Sequence, residues 1–378
     1  MSQILLKNFL RLFKKEYQTL NTIEISKKNL LQNYKYLFLV DKKVKIAPVL
    51  KSNAYGHGLV QTAKILEGCD DYQIPFFCVD SLYEAYELLK ANVKTKILVM
   101  GYTNPENLKI KKLPFSFAVY DLETVRVLNK YQANCGIHIF VDTGMNREGI
   151  QLEDLPKFLE ELKLYKNLNV EGLMSHFASA DEPKDSLNKK QFNNFTYVRR
   201  IVRKFVFKPK WIHIQNSDAL ASHTRYVNVN TARVGLALYG ISNNPNLKPV
   251  LTFKSKIIQI KKLRIGDIVG YGGTFTAKKP MVLGVLPLGY FDGVDRRLSN
   301  KGFVIVNGQS CKIIGRVSMN ITTIDLTKIP NPQIDQEALV YSSNPQDKNS
   351  IQNTARICKS IPYDILIHLS ASTKRVIV

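Results

Sequence analysis

From about residue 45 the chain alternates short β-branched or aromatic runs with segments whose apolar residues recur at helical spacing. Eight such runs follow one another: KIAPVLK (45–51), FFCVDSL (76–82), KILVMG (96–101), FSFAVYD (115–121), IHIFVDTG (137–144), VEGLMSHF (170–177), WIHIQNS (211–217) and NVNTARVG (228–235). Between them lie stretches such as LETVRVLNKYQ and LEDLPKFLEELKLYK, each with one apolar face. Repeated strand–helix units in this number predict an α/β chain whose N-terminal part closes into a (β/α)8 TIM-type barrel. After residue 250 the texture changes to strands punctuated by Gly and Asn turns, as in KGFVIVNGQSCKIIG. The expected organisation is therefore a basic extension over 1–20, a barrel over 21–250 and a C-terminal mainly-β domain over 251–378. The early run IEIS, beginning at Ile23, is a candidate to pair with that second domain.

Composition narrows the function classes. A chain of 378 residues that is 45% hydrophobic has material for two cores. No stretch approaches the roughly 18 uncharged apolar residues of a membrane span. The 54 Lys+Arg against 31 Asp+Glu give a formal charge of +23, which raises the question of nucleic acid. These lysines are scattered over predicted helix faces and turns, so a solvated basic surface or an attraction for anionic small molecules is expected rather than nucleic-acid binding. Five cysteines, odd in number and without a CxxC pair, fit a reducing, cytoplasmic compartment and supply no metal-ligand spacing. The opening segment MSQILLKNFLRLFKKEYQTL breaks its apolar residues with Lys7 and Arg11 and lacks a small-residue cleavage site. It reads as an extension packed on the body or a loose tail, with a short basic amphipathic helix at a membrane surface as the alternative.

Polar residues gather where these strands end. Lys51 ends the first, Arg147 follows the fifth, His176 ends the sixth, Asn216 and Ser217 end the seventh, and Arg233 with Gly235 ends the eighth. In a barrel those carboxyl ends form one rim, where active sites sit and where the loops after the last strands often hold a phosphate. A strand-end lysine alone would be read as an ammonium reaching solvent. On a partly desolvated rim it can lose its proton, and a neutral amine condenses with the aldehyde of pyridoxal 5'-phosphate. Ser217, the backbone N–H groups around Gly235 and Leu236, and Tyr55 are candidate phosphate anchors.

The segments VLKSNAYGHG, DTGMNREG, GLMSHFASADE, HIQNS, RVGLALYG, GYGGTFTA, LPLGYFDGVDRRL, GRVSMN and IPYD, in this order from residue 49 to 364, resemble those of the alanine racemases. The resemblance covers both inferred domains. It implies that Lys51 holds pyridoxal phosphate and is one of two acid/base groups, the other being Tyr271. It implies further that Arg233 meets the pyridine nitrogen, that His213 orients Arg233, and that His176 stacks beside the ring. Tyr55, Tyr363, Ser217, Gly235 and Leu236 would contact the phosphate, with Asn216 supporting their loop. Arg147 and the backbone N–H of Met319 would bind the substrate carboxylate, and Tyr290 would gate the pocket. The family assembles as a homodimer with shared sites, so Lys51 and Tyr271 of one pocket would come from different chains. D-alanine for cell-wall peptidoglycan is the usual product.

Some positions depart from that pattern. Many relatives carry a carbamylated lysine where this chain has Phe140, a side chain that cannot accept a hydrogen bond from Arg147. Asn320 stands where an aspartate is often found, and Asp364 where a basic residue is common. These changes bear on substrate preference. A broader amino-acid racemase, a barrel-type decarboxylase and a non-catalytic cofactor carrier are the competing readings.

Overall fold

The computed structural model describes residues 18–69, 73–222, 226–242 and 244–378. Most of the basic extension expected over 1–20, namely residues 1–17, lies outside them.

All eight predicted runs contain a strand. They are β2 (Lys45–Pro48), β3 (Phe77–Val79), β4 (Ile97–Val99), β5 (Ser116–Val119), β6 (Cys135–Phe140), β7 (Leu168–Met174), β8 (Trp211–His213) and β9 (Thr231–Val234). Strands β3 to β8 pair in sequence order as a parallel sheet, and β2 pairs in parallel with β9. A parallel bridge between Val49 and Cys78 joins β2 to β3. The bond from Asn230 N–H to the Ile212 carbonyl joins β8 to β9, so the sheet curls into a ring. Strands β3 to β5 are buried along their whole length, as expected for a parallel sheet covered on one face by helices and filled on the other by its own side chains. The covering helices follow the amphipathic pattern; Leu155–Leu162, for example, buries Leu155, Phe158, Leu159 and Leu162 on one face.

Strand β1 (Thr22–Ile25) precedes the barrel in sequence but not in space. It lies between β10 (Leu251–Lys256), to which it is antiparallel, and the terminal strand Lys374–Ile377, to which it is parallel. The alternation of Ile23 and Ile25, both fully buried, with half-exposed Thr22 and Glu24 explains why the run joins a one-sided sheet rather than the barrel. That six-stranded sheet continues through Glu337–Tyr341, Phe303–Val306 and Gln309–Lys312. A second, three-stranded antiparallel sheet (Gln259–Leu263, Met281–Leu286 and Thr322–Asp325) carries its own small apolar cluster around Met281, Leu283 and Ile314. The chain is thus a barrel followed by a strand-rich domain. Among the described residues no helix is long and apolar enough to cross a membrane.

Candidate active site

Lys51 leaves β2 through a segment with an unusual backbone. Ser52, Asn53, Ala54 and Tyr55 all have φ between +51° and +56°, one turn of left-handed helix without a glycine. Each such residue costs on the order of 1 kcal/mol, so the surroundings must hold the turn in place. They do so from three sides. Glu84, nine-tenths buried, accepts the Asn53 N–H at 3.2 Å while its other oxygen accepts from Asp80 N–H and, through the capping box with Ser81, from Ser81 N–H. The Asn53 side chain accepts from Leu59 N–H at 2.8 Å. From the β domain, Arg375 donates to the Gly56 carbonyl through Nε at 3.1 Å and Nη2 at 2.9 Å. The lysine is therefore presented by a rigid bend braced by both domains.

Around that bend Lys51, Tyr55, Arg147, His176 and Arg233 line one cleft, so residues distant in sequence converge as their strand-end positions predict. Asp80 and Glu148 line it as well. Lys51 Nζ lies 3.7 Å from Asp80 Oδ1, and Arg147 Nε lies 3.3 Å from Glu148 Oε2. Phe140 is buried against Ala118, Met174 and the edge of Tyr120. With phenylalanine there, the carboxylate nearest Arg147 is that of the next residue in the chain, an ion pair at 3.3 Å.

Arg233 is fixed from behind. Its Nη1 donates to His213 Nδ1 at 2.7 Å and to the His213 carbonyl at 3.1 Å; its Nη2 donates to the Ser175 carbonyl at 2.6 Å and to His176 Nδ1 at 2.9 Å. An arginine only donates, so both imidazoles must accept at Nδ1 and carry their protons on Nε2. His213 Nε2 is then the donor to His138 Nδ1, 2.8 Å away. Glycine at 172 makes room for this relay, since a Cβ there would sit 2.1 Å from His138 Nδ1. Both Nη groups are thus committed, and no described residue accepts from Arg233 Nε. Burial lowers the Arg233 pKa to about 10, which leaves it a cation at neutral pH.

Ser217 opens a short helix capped by the Asn216 side chain, which accepts from Ala219 N–H at 2.9 Å. The Ser217 hydroxyl accepts from Gly235 N–H at 3.2 Å and Ala237 N–H at 3.3 Å, so its own proton is free to point outward. A Cβ on Gly235 would lie 2.7 Å from the Tyr55 hydroxyl, so only glycine lets that phenol approach the turn before Leu236. Burial, then the neighbouring Tyr363, push the Tyr55 pKa up to about 12 and keep it a hydrogen-bond donor.

Three predicted residues stand elsewhere within this chain. Tyr271, Tyr290 and Met319 lie on the β domain, outside the cleft, and are 73%, 42% and 54% exposed. Phe291 and Ile321 are exposed beside two of them: Phe291 N–H donates to the Met319 carbonyl, Tyr290 N–H to the Ser318 carbonyl and Ser318 N–H to the Ile321 carbonyl. Asp364 is engaged by Arg297 at 3.3 Å and by the Ser360 hydroxyl at 2.5 Å. Among the described residues no cluster of three or more metal-ligating side chains occurs.

Sequence patterns of known families match nearly the whole chain. The alanine racemase N-terminal domain matches residues 25–243 and the alanine racemase C-terminal domain matches 250–377. The chain belongs to the alanine racemase family. It is 34% identical to an alanine racemase of Carboxydothermus hydrogenoformans over 373 residues, 94% of this chain and 98% of the relative. It is likewise 34% identical to one from Syntrophobacter fumaroxidans over 332 residues, 85% and 87% of the two chains. Among solved structures, alanine racemase from Bacillus anthracis, with bound L-Ala-P, superposes with a TM-score of 0.86 at 29% identity, covering 96% of each chain. That from Clostridium difficile gives a TM-score of 0.88 at 26% identity, covering 96% of this chain and 97% of its own. This alanine racemase family member is accordingly an isomerase, and its cleft is the place to look for the chemistry.

The racemase cleft and its braces hold four histidines, of which His57, His138 and His213 are buried and His176 is half-buried. Burial lowers the pKa of His57 to about 4 and of His138 and His176 to about 3, and lowers that of His213 well below 6.5. In the unfolded chain each takes up a proton near its ordinary value of 6.5. Between those values the unfolded state binds more protons, so stability rises with pH and is lost as pH falls below about 6.5. Each histidine contributes up to about 1.4 kcal/mol per pH unit. The melting midpoint is expected to fall steeply between about pH 6.5 and 5; calorimetric scans that show a flat midpoint over that range would contradict neutral burial.

Proposed function

We propose that the chain interconverts L- and D-alanine using pyridoxal 5'-phosphate. The observation that carries this reading is one cleft in which the Lys51 amine, an Arg233 pinned through both Nη groups with Nε uncommitted, and the Tyr55–Ser217–Gly235 cradle come together. These groups fit the cofactor: an amine for its aldehyde, a cationic donor for its ring nitrogen, and hydroxyl and backbone donors, with Leu236, Asn216 and Tyr363 beside them, for its phosphate. When bound, the cofactor supplies the electron sink that makes the Cα proton removable.

The rest is done by the protein. Lys51 Nζ holds or releases the proton on one face, and the Tyr271 hydroxyl does so on the other. Since Tyr271 stands outside this chain's cleft, a second copy must bring it, along with Met319 N–H and the gating Tyr290. The exposed apolar group of Tyr290, Phe291, Met319 and Ile321 supports such a homodimer, because patches of this kind mark protein contacts. Arg147 binds the substrate carboxylate, steadied by Glu148. Arg233 is surrounded by imidazoles and carbonyls instead of a carboxylate, which favours racemisation over decarboxylation. The division between the two domains falls near residue 250, and the product D-alanine serves peptidoglycan synthesis in the cytoplasm.

Polarimetry on dialysed and cofactor-restored protein tests the reading. Optical rotation of L-alanine should decay only after cofactor is restored; a rotation that never changes would leave a carrier. A finer test addresses Glu148. Glu148→Gln removes the carboxylate that holds Arg147 and is expected to raise the KM for alanine about tenfold, with a smaller effect on kcat. A lowered KM would mean that Glu148 competes with substrate instead of positioning the arginine.

A further inference from the structure

The other end of the barrel holds a cluster of cations that the racemase reading does not use. The helix Ser186–Lys204 carries Arg199 and Arg203 one turn apart. Arg199 is 8% exposed, yet among the described residues its guanidinium has a single hydrogen-bond acceptor, the Val227 carbonyl, 3.3 Å from Nη1. Burying an arginine without a carboxylate is costly, and burial together with the neighbouring Arg203 pushes its pKa down. The two arginines and Lys208 line a cavity of about 660 Å³ that no described acidic residue lines. Nearby cations do have partners: Lys210 sits over the Trp211 ring at 4.5 Å and Arg200 near that of Tyr197 at 6.0 Å.

The cavity's other wall is apolar, from Val202, Phe207 and Ile212. Lys208 precedes β8 and Asn228 precedes β9, so the cavity opens at the amino ends of these strands, on the rim opposite Lys51. Its volume falls in the range of small-molecule sites.

We propose that this cavity is a second, separate binding site for a small organic phosphate, with the phosphate between Arg199, Arg203 and Lys208 and the apolar body against Phe207 and Val202. Three cations without a carboxylate suit a doubly charged oxyanion, and guanidinium groups hold phosphate through paired N–H bonds. The site is independent of the alanine-binding cleft. A ligand here would stabilise the fold by binding the native state alone.

Calorimetric titration of the cofactor-loaded protein with adenosine 5'-diphosphate, and in parallel with inorganic phosphate, tests this. The nucleotide should bind saturably, once per chain and more tightly than phosphate, because only it uses the apolar wall. Arg203→Gln and Lys208→Gln should each weaken it about tenfold, and Arg199→Gln should remove it, with racemisation and cofactor absorbance unchanged. Absence of saturable heat up to millimolar probe, or equal affinity in all variants, would overturn the proposal. Equal affinity would assign the anion to the general +23 surface or the cofactor's phosphate cradle. Arg203 and Lys208 are exposed, so their variants decide the matter even where Arg199→Gln fails to fold.

Discussion

Lys51→Ala is expected to abolish racemisation and, with it, the visible absorbance that marks cofactor attached to the protein. The side chain has two roles in this account, anchoring the cofactor and moving the Cα proton on one face, and alanine supplies neither. Loss of a positioned acid/base group alone commonly costs about 10²–10⁴-fold; loss of covalent attachment adds to it. The fold should survive. The left-handed turn is braced through Asn53, Gly56 and Leu59, all beyond the lysine side chain, and Lys51 contributes only a 3.7 Å ion pair to Asp80 with both partners well exposed. Normal turnover in a folded variant would exclude Lys51 from the chemistry.

Tyr271→Phe is expected to have a different signature. The phenol is 73% exposed on the β domain, so its loss should change neither folding nor cofactor absorbance. Racemisation should nonetheless fall by about 10²–10⁴-fold, because one face of the substrate then lacks its proton carrier. Removal of the Cα proton from one enantiomer should outlast racemisation, seen as exchange of that proton with deuterated water. A variant that still racemises at the unaltered rate would mean that Lys51 or solvent serves both faces.

How much of this could be read in the sequence follows from the range of each interaction. The eight barrel strands were legible because β-branched runs such as KILVMG and FSFAVYD are local signals, and β1 because Ile23 and Ile25 alternate with polar residues. The convergence of Lys51, Arg147, His176 and Arg233 was legible because every strand end of a barrel points to the same rim. The left-handed turn was not. Nothing in SNAY announces four positive φ values; they are imposed by Glu84, about 30 residues away, and by Arg375 at the far end of the chain. His138 was also missed, since inside IHIF it reads as one more strand residue; its role appears only when β6 and β8 bring two imidazoles within 2.8 Å. Phe140 raised the question of what holds Arg147. The answer, Glu148, is adjacent in the sequence but carried no signal there, because only geometry shows which way a surface carboxylate turns.

The central claim is that two proton carriers from two chains face each other across one substrate. Mixing Lys51→Ala with Tyr271→Phe, each inactive alone, and allowing subunits to exchange tests it most directly. In a mixed dimer with shared sites, one site carries both lesions and the other carries none, so the mixture should regain about a quarter of the native racemase activity. A mixture that stays as inactive as its parents after proven exchange would contradict the claim, since it would mean that both groups act from the same chain.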